Sequence, residues 1–251
     1  MSTSLDQYLS IALEAGRAAA ELLRGAHVTS VRAKTALRDL VTEWDERSEA
    51  LLRARFAART PEVGFYGEES SGEAAAPQDQ ALWVVDPIDG TLNFSHGLPI
   101  WAISIALVDG SGPLVGVVIA PALGWTFAGR RGGGAWMEDA GGQHRLAVSA
   151  VESLDQALLT TGFPAQRDDA RRNNRAEWDR LQLRAGDCRR LGAASLDLCM
   201  VARGWLDGYW ERGLHAWDLA AGALSVREAG GVVTAPHGGA TSGTRAFPAI
   251  D

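Results

Sequence analysis

The sequence of 251 residues predicts a layered α/β (α+β) protein. Three observations support this fold class: an amphipathic helical pattern at the amino end, a middle rich in β-forming residues, and a second half in which helical and strand-like segments alternate. No repeat or low-complexity linker divides the chain. We therefore expect one compact unit with a soft boundary near residue 150, between an amino-terminal part (1–150) and a carboxy-terminal part (151–251).

Composition restricts the class of protein. A content of 46% hydrophobic and 22% charged residues is typical of a soluble globular protein with a full core. The formal charge of −7 argues against a nucleic-acid-binding surface, and we interpret the locally basic stretch from Arg167 to Arg190 as a solvated helix face. No apolar run approaches the roughly 20 residues of a membrane span, so we expect no membrane association.

The amino-terminal segment "MSTSLDQYLSIALEAGRAAAELLRG" is apolar on one helical face and charged on the others. This pattern predicts an amphipathic helix to about Arg24 and not a signal peptide. The only cysteines are Cys188 and Cys199, and Cys199 lies in the apolar run "LDLCMVA". A disulfide framework is therefore not expected, and a reducing cytoplasm is the predicted compartment.

The rest of the first half is expected to contain a loop, one helix and several strands. The loop "TSVRAKTALRDL" leads into a helix opened by Thr42, with Asp45 three residues later as in a capping box. The segment "SGEAAAPQDQ" is small and polar and predicts a surface loop. The expected strands of the middle are "LWVVD", "WAISIALVDG", "LVGVVIAP" and "WTFAGRRGGGAWM".

In the second half, glycines mark the ends of the expected helices. One helix is predicted in "LGAASLDLCMVARG", stopped by Gly204, and a longer one in "HAWDLAAGALSVREAGG", closed by two glycines. A further helix is expected in "RRNNRAEWDRLQLRA", and strands are expected in "ALLTTGF", "WLDGYWE" and "VVTA".

The apolar strand "LWVVD" runs directly into two carboxylates, Asp86 and Asp89, in "WVVDPIDGTLNF". Carboxylates this close repel each other, so both are ionised at neutral pH only if a cation lies between them. Oxygen ligands favour Mg²⁺, with the Ile88 carbonyl as a further ligand and Gly90 permitting a close backbone approach. The alternative is a hairpin turn with Asp89 and Gly90 at its corner.

Three other acidic residues could complete such a site. Glu68 and Glu69 lie in the glycine-preceded loop "FYGEES", and Asp218 starts the helix of "HAWDLAAG". Each has an ordinary structural explanation, because acidic loop residues are usually solvated and an Asp at a helix start is usually a cap. Together with Asp86 and Asp89 they would form a metal cage.

These segments resemble the inositol monophosphatase family of magnesium-dependent, lithium-sensitive phosphatases. The motifs "GEES", "WVVDPIDGTLNF" and "WDLAAGALSVREAGG" stand in the family's order and spacing, and "KTALRDLVTEWD" is similar to its amino-terminal loop. The resemblance extends from about Leu5 to Val233. It implies the layered αβαβα sandwich of the sugar phosphatases and a homodimer.

The resemblance implies two to three Mg²⁺ ions. Glu68, Asp86 and the Ile88 carbonyl would hold the first ion. Asp86, Asp89 and Asp218 would hold the second, and a weaker third ion would depend on Glu68. Most of these ligands belong to residues 1–150, and Asp218 completes the site from the second part of the chain.

Thr91, Asp45 and Glu68 are the catalytic residues that the resemblance implies. They would orient and deprotonate the metal-activated water that attacks phosphorus in line. From the residues alone, Asp45 has a competing structural role as the capping-box partner of Thr42. Gly90 and Thr91 would open a helix whose free N–H groups favour a phosphate.

The substrate that the resemblance implies is a small-molecule phosphate ester of a polyol, above all inositol 1-phosphate. Glu211 would contact its hydroxyl groups, although a surface charge at a strand end is the structural alternative. The pair Asn93 and Phe94 is closer to the inositol phosphatase branch than to the nucleotide or histidinol phosphate branches. The other implied substrate-binding residues are Asp89, Gly90, Thr91, Asp218 and, in the loop "LGAAS", Gly192, Ala193 and Ala194.

Two features depart from the family pattern. The chain ends in "TAPHGGATSGTRAFPAID", with little that could form the family's last strand and helix, so we expect either a partner subunit over a bare sheet edge or a reduced stability. Ala193 stands where the family's pocket loop often has Thr, which would remove one hydrogen bond to the substrate.

Other functions stay open at this point. The same chemistry could act on fructose 1,6-bisphosphate or a nucleotide 3′-phosphate, or the chain could be a regulatory or RNA-associated protein that keeps the fold. Intact acidic residues at all four ligand positions favour an enzyme.

Overall fold

The computed structural model describes residues 4–34, 40–71, 80–164 and 173–234. Within these ranges the helices are α1 (Leu5–Leu23), α2 (Glu43–Arg59), α3 (Glu68–Ser71), α4 (Thr91–Ser95), α5 (Arg175–Leu181), α6 (Ala194–Ala202) and α7 (Ala216–Glu228), with a 3-10 turn at Leu154–Gln156. The strands are β1 (Val31–Ala33), β2 (Leu40–Thr42), β3 (Gly64–Gly67), β4 (Leu82–Asp89), β5 (Ala102–Asp109), β6 (Gly112–Ala120), β7 (Trp125–Arg130), β8 (Gly134–Asp139), β9 (Gly142–Arg145), β10 (Leu158–Thr161), β11 (Asp187–Arg189) and β12 (Gly208–Trp210).

A seven-stranded sheet in the order β3-β4-β5-β6-β7-β8-β9 forms the centre of the molecule. β3 and β4 are parallel, and all other neighbours in this sheet are antiparallel. Alternate residues of each strand face opposite sides, so Ile103 and Ile105 join the core under α1 and α2, whereas Ala102 and Ala106 join the core under α6 and α7. Helices on both faces explain why β4 is buried along its whole length.

A smaller parallel sheet in the order β11-β10-β12 forms a further layer. α6 contacts both β10 and β12, and it also packs against α7. The layers therefore follow as α1 and α2, the seven-stranded sheet, α6 and α7, and the small sheet. The predicted mixed α/β fold is confirmed. Among the described residues, no helix combines the length and apolar character that a bilayer span requires.

The main predicted elements are present. α1 ends with its carboxy-terminal cap at Arg24, and α2 begins with the predicted capping box, in which Thr42 accepts a bond from the backbone and the Asp45 side chain bonds back to the Thr42 N–H. The predicted middle strands correspond to β4 to β8, and the helix expected to stop at Gly204 is α6, after which Gly204 adopts a φ of 74°.

Several short elements differ from the prediction. The expected loop "TSVRAKTALRDL" contains the antiparallel pair β1 and β2, and β9 and β11 were also not predicted. All four are three or four residues long and too short to show an alternating pattern. The predicted strand "VVTA" is not present in its described residues, 232–234, where Thr234 forms a single bridge.

The basic stretch from Arg167 to Arg190, of which residues 167–172 lie outside the described ranges, does not form one helix face in its described part. The helix expected in "RRNNRAEWDRLQLRA" is reduced to the seven residues of α5, and β11 follows it. The expected surface loop "SGEAAAPQDQ" lies almost entirely outside the described residues, as does the segment after Thr234.

Glycines allow α7 to lie directly against its neighbours. A Cβ at Gly116 of β6 would be 2.9 Å from the Ala221 carbonyl oxygen and 3.1 Å from the Ala221 Cα. On another side of α7, a Cβ at Gly222 would be 2.6 Å from the Leu198 Cβ of α6. α7 is therefore closely packed between the sheet and α6, which sets the position of Asp218 in its first turn.

We expect Gly116→Ala to lower the free energy of unfolding by about 1–3 kcal/mol, because the backbone of α7 has to move away from the added methyl group. Urea unfolding measures this loss. Gly208→Ala is the control, since a Cβ there meets only the flexible end of Leu159 at 3.0 Å. The same unfolding midpoint for the wild type and Gly116→Ala would contradict the close packing of α7 on β6.

Candidate metal centre and active site

Three carboxylates meet where β4 ends and α7 begins. Asp86, Asp89 and Asp218 each offer an oxygen atom, and these atoms all lie within 4.8 Å of one another. Residues three apart on a regular strand face opposite sides, but the pairing of β4 with β5 shifts between Asp86 and Asp89. This irregularity lets both side chains face Asp218. We call these three residues the carboxylate cluster.

The carboxylate cluster is electrostatically unfavourable when it holds only negative charges. Burial, followed by the charges of Glu68, Asp89 and Asp218, raises the pKa of Asp86 well above its usual range. Burial and the charge of Asp218 raise the pKa of Asp89 to about 7, although hydrogen bonds from the start of α6 oppose the shift. A divalent cation among these oxygens would relieve both effects, so the donor set fits a hard metal ion.

Asp89 is also bonded to the first residues of α6. The Ala194 N–H donates to Oδ1 at 3.1 Å, and the N–H and hydroxyl of Ser195 donate to Oδ2 at 2.7 and 2.5 Å. Asp89 thereby acts as a cap for a helix that lies more than a hundred residues away in the sequence. Ser195 was not predicted as a site residue, although it belongs to the segment "LGAAS" that was.

Asp218 has a similar double role. Its Oδ2 accepts a hydrogen bond from the His215 N–H at 2.6 Å, which is the capping interaction expected from its position in the first turn of α7. The side chain nevertheless belongs to the carboxylate cluster. The structural and the chemical interpretations of Asp218 are therefore compatible.

Glu68 lies beside the carboxylate cluster and is paired with a lysine. It starts α3, a single helical turn directly after β3, and does not lie in a loop as predicted. After burial, the charge of Glu68 is the first cause that raises the pKa of Asp86, so the two carboxyl groups are close neighbours. Lys34 Nζ donates to Glu68 Oε1 and to Glu69 Oε1, both at 2.7 Å.

Lys34 is a site residue that was not predicted. Burial by itself would lower its pKa, but the charges of Glu68 and Glu69 outweigh burial and raise the pKa above its usual value. Lys34 thus supplies a positive charge at one edge of an otherwise acidic site. The sequence feature that could have identified Lys34 is its position as the one lysine of "KTALRDLVTEWD", the segment that resembles the family's amino-terminal loop.

Thr91 and Asp45 are brought together by α4 and α2. The Thr91 hydroxyl lies 3.0 Å from Asp45 Oδ1 and 3.0 Å from the Ile88 carbonyl oxygen, and it has one hydrogen to share between them. The N–H and hydroxyl of Thr42 donate to the other oxygen of Asp45 at 2.8 and 2.5 Å. Burial raises the pKa of Asp45, and these hydrogen bonds oppose the shift. Capping and contact with Thr91 therefore use different oxygens of one carboxylate.

The predicted pocket loop lies against the turn before α4. Gly90 has a φ of 90°, and a Cβ there would lie 3.1 Å from the Ile100 carbonyl oxygen and 3.2 Å from the Ala193 Cβ and the Gly192 carbonyl oxygen. Gly90 is thus required both by its backbone conformation and by this close approach. α4 begins at Thr91 as predicted, but it has five residues, so its dipole is weaker than that of a longer helix.

Glu211 lies near the carboxylate cluster and not on an open surface. It is partly buried and accepts a hydrogen bond from the Tyr209 hydroxyl at 2.6 Å. Burial and the charges of Asp218 and Asp89 raise its pKa to about 7, although the Tyr209 hydrogen bond opposes the shift. The Glu211 carboxylate is thus close enough to Asp218 and Asp89 for their negative charges to affect its pKa.

The model of the inositol monophosphatase family matches residues 4–249. The chain belongs to the inositol monophosphatase family. This confirms the resemblance found in the motifs, and it places the chain among phosphatases, a class of hydrolases.

Individual relatives agree with this assignment. An inositol-1-monophosphatase of Rhizobium meliloti is 43% identical over 203 residues, which cover 80% of this chain and 74% of the relative. The Nus factor SuhB of Pseudomonas aeruginosa is 42% identical over 237 residues, covering 90% and 84%. The solved structure of inositol monophosphatase from Anabaena (Nostoc) sp. PCC 7120 has a TM-score of 0.83 at 36% identity, over 96% of this chain and 90% of that chain.

We expect Asp86→Asn to raise the melting temperature of this inositol monophosphatase family member without metal, because it removes a buried negative charge from the carboxylate cluster. The same substitution should abolish most of the rise that Mg²⁺ produces, since a ligand that binds only the folded state stabilises that state. Thermal unfolding in excess EDTA and in excess MgCl₂ measures both effects.

Glu138→Gln is the control for this substitution. It removes a carboxylate that is half exposed and pairs with Arg17 at 3.0 Å, away from the carboxylate cluster. We expect its Mg²⁺ response to match that of the wild type. An equal Mg²⁺-induced rise in Asp86→Asn would show that the ion binds elsewhere.

Proposed function

We propose that this protein hydrolyses phosphate monoesters of small polyols in a Mg²⁺-dependent reaction, with inositol 1-phosphate as its preferred substrate. The observation that carries the proposal is the carboxylate cluster of Asp86, Asp89 and Asp218 next to the hydrogen-bonded pair Thr91 and Asp45. Two relatives named inositol-1-monophosphatase, at 43% and 40% identity, support this substrate class.

The acidic residues have a donor set for two to three Mg²⁺ ions. Asp86, Asp89 and Asp218 would hold one ion, and Glu68, Asp86 and the Ile88 carbonyl another, with Glu68 as the support of a third. Bound there, the ions would supply positive charge that neutralises phosphate oxygens, lowers the pKa of water and stabilises the leaving alkoxide. Without that charge, the carboxylates would repel an anionic phosphate ester.

Thr91 and Asp45 orient the attacking water and accept its proton. When the Thr91 hydroxyl donates to Asp45 Oδ1, the lone pairs of Thr91 Oγ1 are free to accept a hydrogen bond from water. The backbone N–H of Thr42, which donates to Asp45 Oδ2, holds the Asp45 carboxylate in place during this transfer. Glu68, whose charge acts on Asp86, is the second acid that shares in orienting the water.

The remaining contacts define the substrate pocket. Gly90, which lies against Gly192 and Ala193, would surround a bound phosphate together with Thr91 and this loop. Ala193 contributes no hydroxyl group there. The Glu211 carboxylate accepts hydrogen bonds from paired ring hydroxyls, which favours a polyol.

Three further properties belong to this proposal. By resemblance to the family, Li⁺ inhibits the enzyme, the functional form is a homodimer, and the compartment is the cytoplasm. Li⁺ inhibition is included in the assay below, because an ion that competes for hard oxygen ligands should act on this site.

The test is phosphate release from a panel of esters with Mg²⁺ or with EDTA. We expect Mg²⁺-dependent, Li⁺-inhibited release, with the highest kcat/KM for inositol 1-phosphate, and less than about a tenth of wild-type turnover for Asp86→Asn. A higher kcat/KM for fructose 1,6-bisphosphate or a nucleotide 3′-phosphate would show that the proposed substrate is wrong and that the enzyme is still a phosphatase. If no ester in the panel released phosphate, the proposal that the protein is a hydrolase would be contradicted.

A pair of variants separates catalysis by Asp45 from its capping role. Asp45→Asn should lower turnover much more than stability, because the amide cannot accept the proton that Thr91 passes on. Thr42→Ala removes the cap but leaves the Asp45 bond to Thr91, so it should cost about 1 kcal/mol of stability with little loss of turnover. Steady-state kinetics and thermal unfolding compare the two. A destabilised but fully active Asp45→Asn would make Asp45 a structural residue only.

The relative named Nus factor SuhB favours a second candidate function, a regulatory or RNA-associated role. The formal charge of −7 and the complete carboxylate cluster support the enzyme more strongly. Fluorescence anisotropy with a labelled RNA at physiological salt tests the second candidate. RNA binding by a wild type that releases no phosphate would support it over the phosphatase.

A further inference from the structure

The Glu211 carboxylate lies directly over a glycine at the end of the neighbouring strand. Gly162 follows β10, and a Cβ at this position would overlap the Glu211 carboxylate. Gly162 does not have a positive φ, so conformational freedom is not what requires glycine here. Its missing side chain makes the space that the carboxylate fills.

Tyr209 holds the same carboxylate from its own strand. Tyr209 and Glu211 are two residues apart at the end of β12, so their side chains leave the strand on the same side. The Tyr209 hydroxyl donates to Glu211 Oε2 at 2.6 Å. This bond uses Oε2, and because no described residue donates to Oε1, that oxygen can accept a hydrogen bond from a ligand.

Asn174 joins the two strands beyond their last paired residues. β10 and β12 pair as far as Thr161 and Trp210. The fully buried Asn174 side chain donates from Nδ2 to the Gly162 carbonyl oxygen, and its Oδ1 accepts from the Arg212 N–H at 2.9 Å. Because one partner can only accept and the other can only donate, the amide has one possible orientation.

We propose that Gly162, Tyr209 and Asn174 are positioning residues that hold the Glu211 carboxylate toward Asp218 and Asp89, and that they thereby set a selectivity for hydroxyl-rich phosphate monoesters. A carboxylate held in this way loses little conformational freedom when a polyol binds. An ester without hydroxyl groups gains nothing from it. This inference rests on the proposed function of the site.

Two variants displace or loosen Glu211 without altering the carboxylate cluster. Gly162→Ala fills the space under the carboxylate, and the flexible end of the Glu211 side chain can move away, so the fold is expected to tolerate it. Tyr209→Phe keeps the ring and removes the hydrogen bond. The readout is the ratio of kcat/KM for inositol 1-phosphate to kcat/KM for 4-nitrophenyl phosphate.

We expect this ratio to fall at least about fivefold in each variant, the effect of one lost hydrogen bond, with most of the loss in KM for inositol 1-phosphate. The matched control is Glu177→Gln, which breaks the 2.7 Å ion pair with the Arg212 side chain but leaves the Arg212 N–H bonded to Asn174. Its ratio should stay within about twofold of the wild type, because this ion pair is partly exposed to solvent and such pairs contribute little.

A double-mutant cycle tests whether Tyr209 acts through Glu211. In a Glu211→Ala background the carboxylate is absent, so Tyr209→Phe should cause no further change in the ratio. An undiminished effect of Tyr209→Phe in that background would overturn the inference. Equal losses on the two esters in both Gly162→Ala and Tyr209→Phe would also overturn it while leaving the proposed function intact.

The wild-type assay separates this inference from the function on which it rests. If the wild type shows no Mg²⁺-dependent release from either ester, the proposed function fails and the inference fails with it. If the wild type is active on both, the variants decide the inference alone. The Mg²⁺-induced rise in melting temperature should persist in both variants, which shows that they fold and keep the carboxylate cluster.

Discussion

Repulsion among the carboxylates of Asp86, Asp89 and Asp218, of which the first two are buried and the third partly buried, is the constraint on which the arrangement of this molecule depends. Bringing three negative charges within 4.8 Å of one another opposes folding, and burial adds to the cost. The surrounding fold offsets part of it. Helices cover both faces of β4. Ser195 donates two hydrogen bonds to Asp89, and the positively charged Lys34 donates one to Glu68. The negative charge that remains is what makes the site suited to divalent cations.

Several acidic residues combine a structural role with a role in the candidate site. In each, the two roles involve different atoms or different partners. Asp45 uses one oxygen to cap α2 and the other to contact Thr91. Asp218 caps α7 and also belongs to the carboxylate cluster. Asp89 fixes the start of α6. Since helix starts fix these side chains, the bonds that begin the helices also orient the oxygens of the site. From the sequence, Asp45 and Asp218 could each be either a helix cap or a site residue. In the structure the two roles are compatible.

The sequence predicted most of the larger elements and singled out the three carboxylates that the fold brings together, but it did not reveal several of their partners. A long apolar run, such as the one that leads to Asp86, predicts a strand directly. The acidic residues could be identified because they lie within short motifs whose residues are close in sequence. Contacts between distant segments carry no such local signal. The bonds from Lys34 to Glu68, from Ser195 to Asp89 and from Asn174 to Gly162 depend on how the layers pack, so these partners could not be found from spacing alone.

A direct test of the metal centre is a crystal structure of the protein grown with Mn²⁺, which replaces Mg²⁺ on oxygen ligands and can be located by anomalous scattering. The account predicts an anomalous peak between the carboxylates of Asp86, Asp89 and Asp218, with Ser195 still bonded to Asp89. A map with no peak among these three carboxylates, in crystals where Mn²⁺ is bound elsewhere or not at all, would contradict the claim that they form a metal centre.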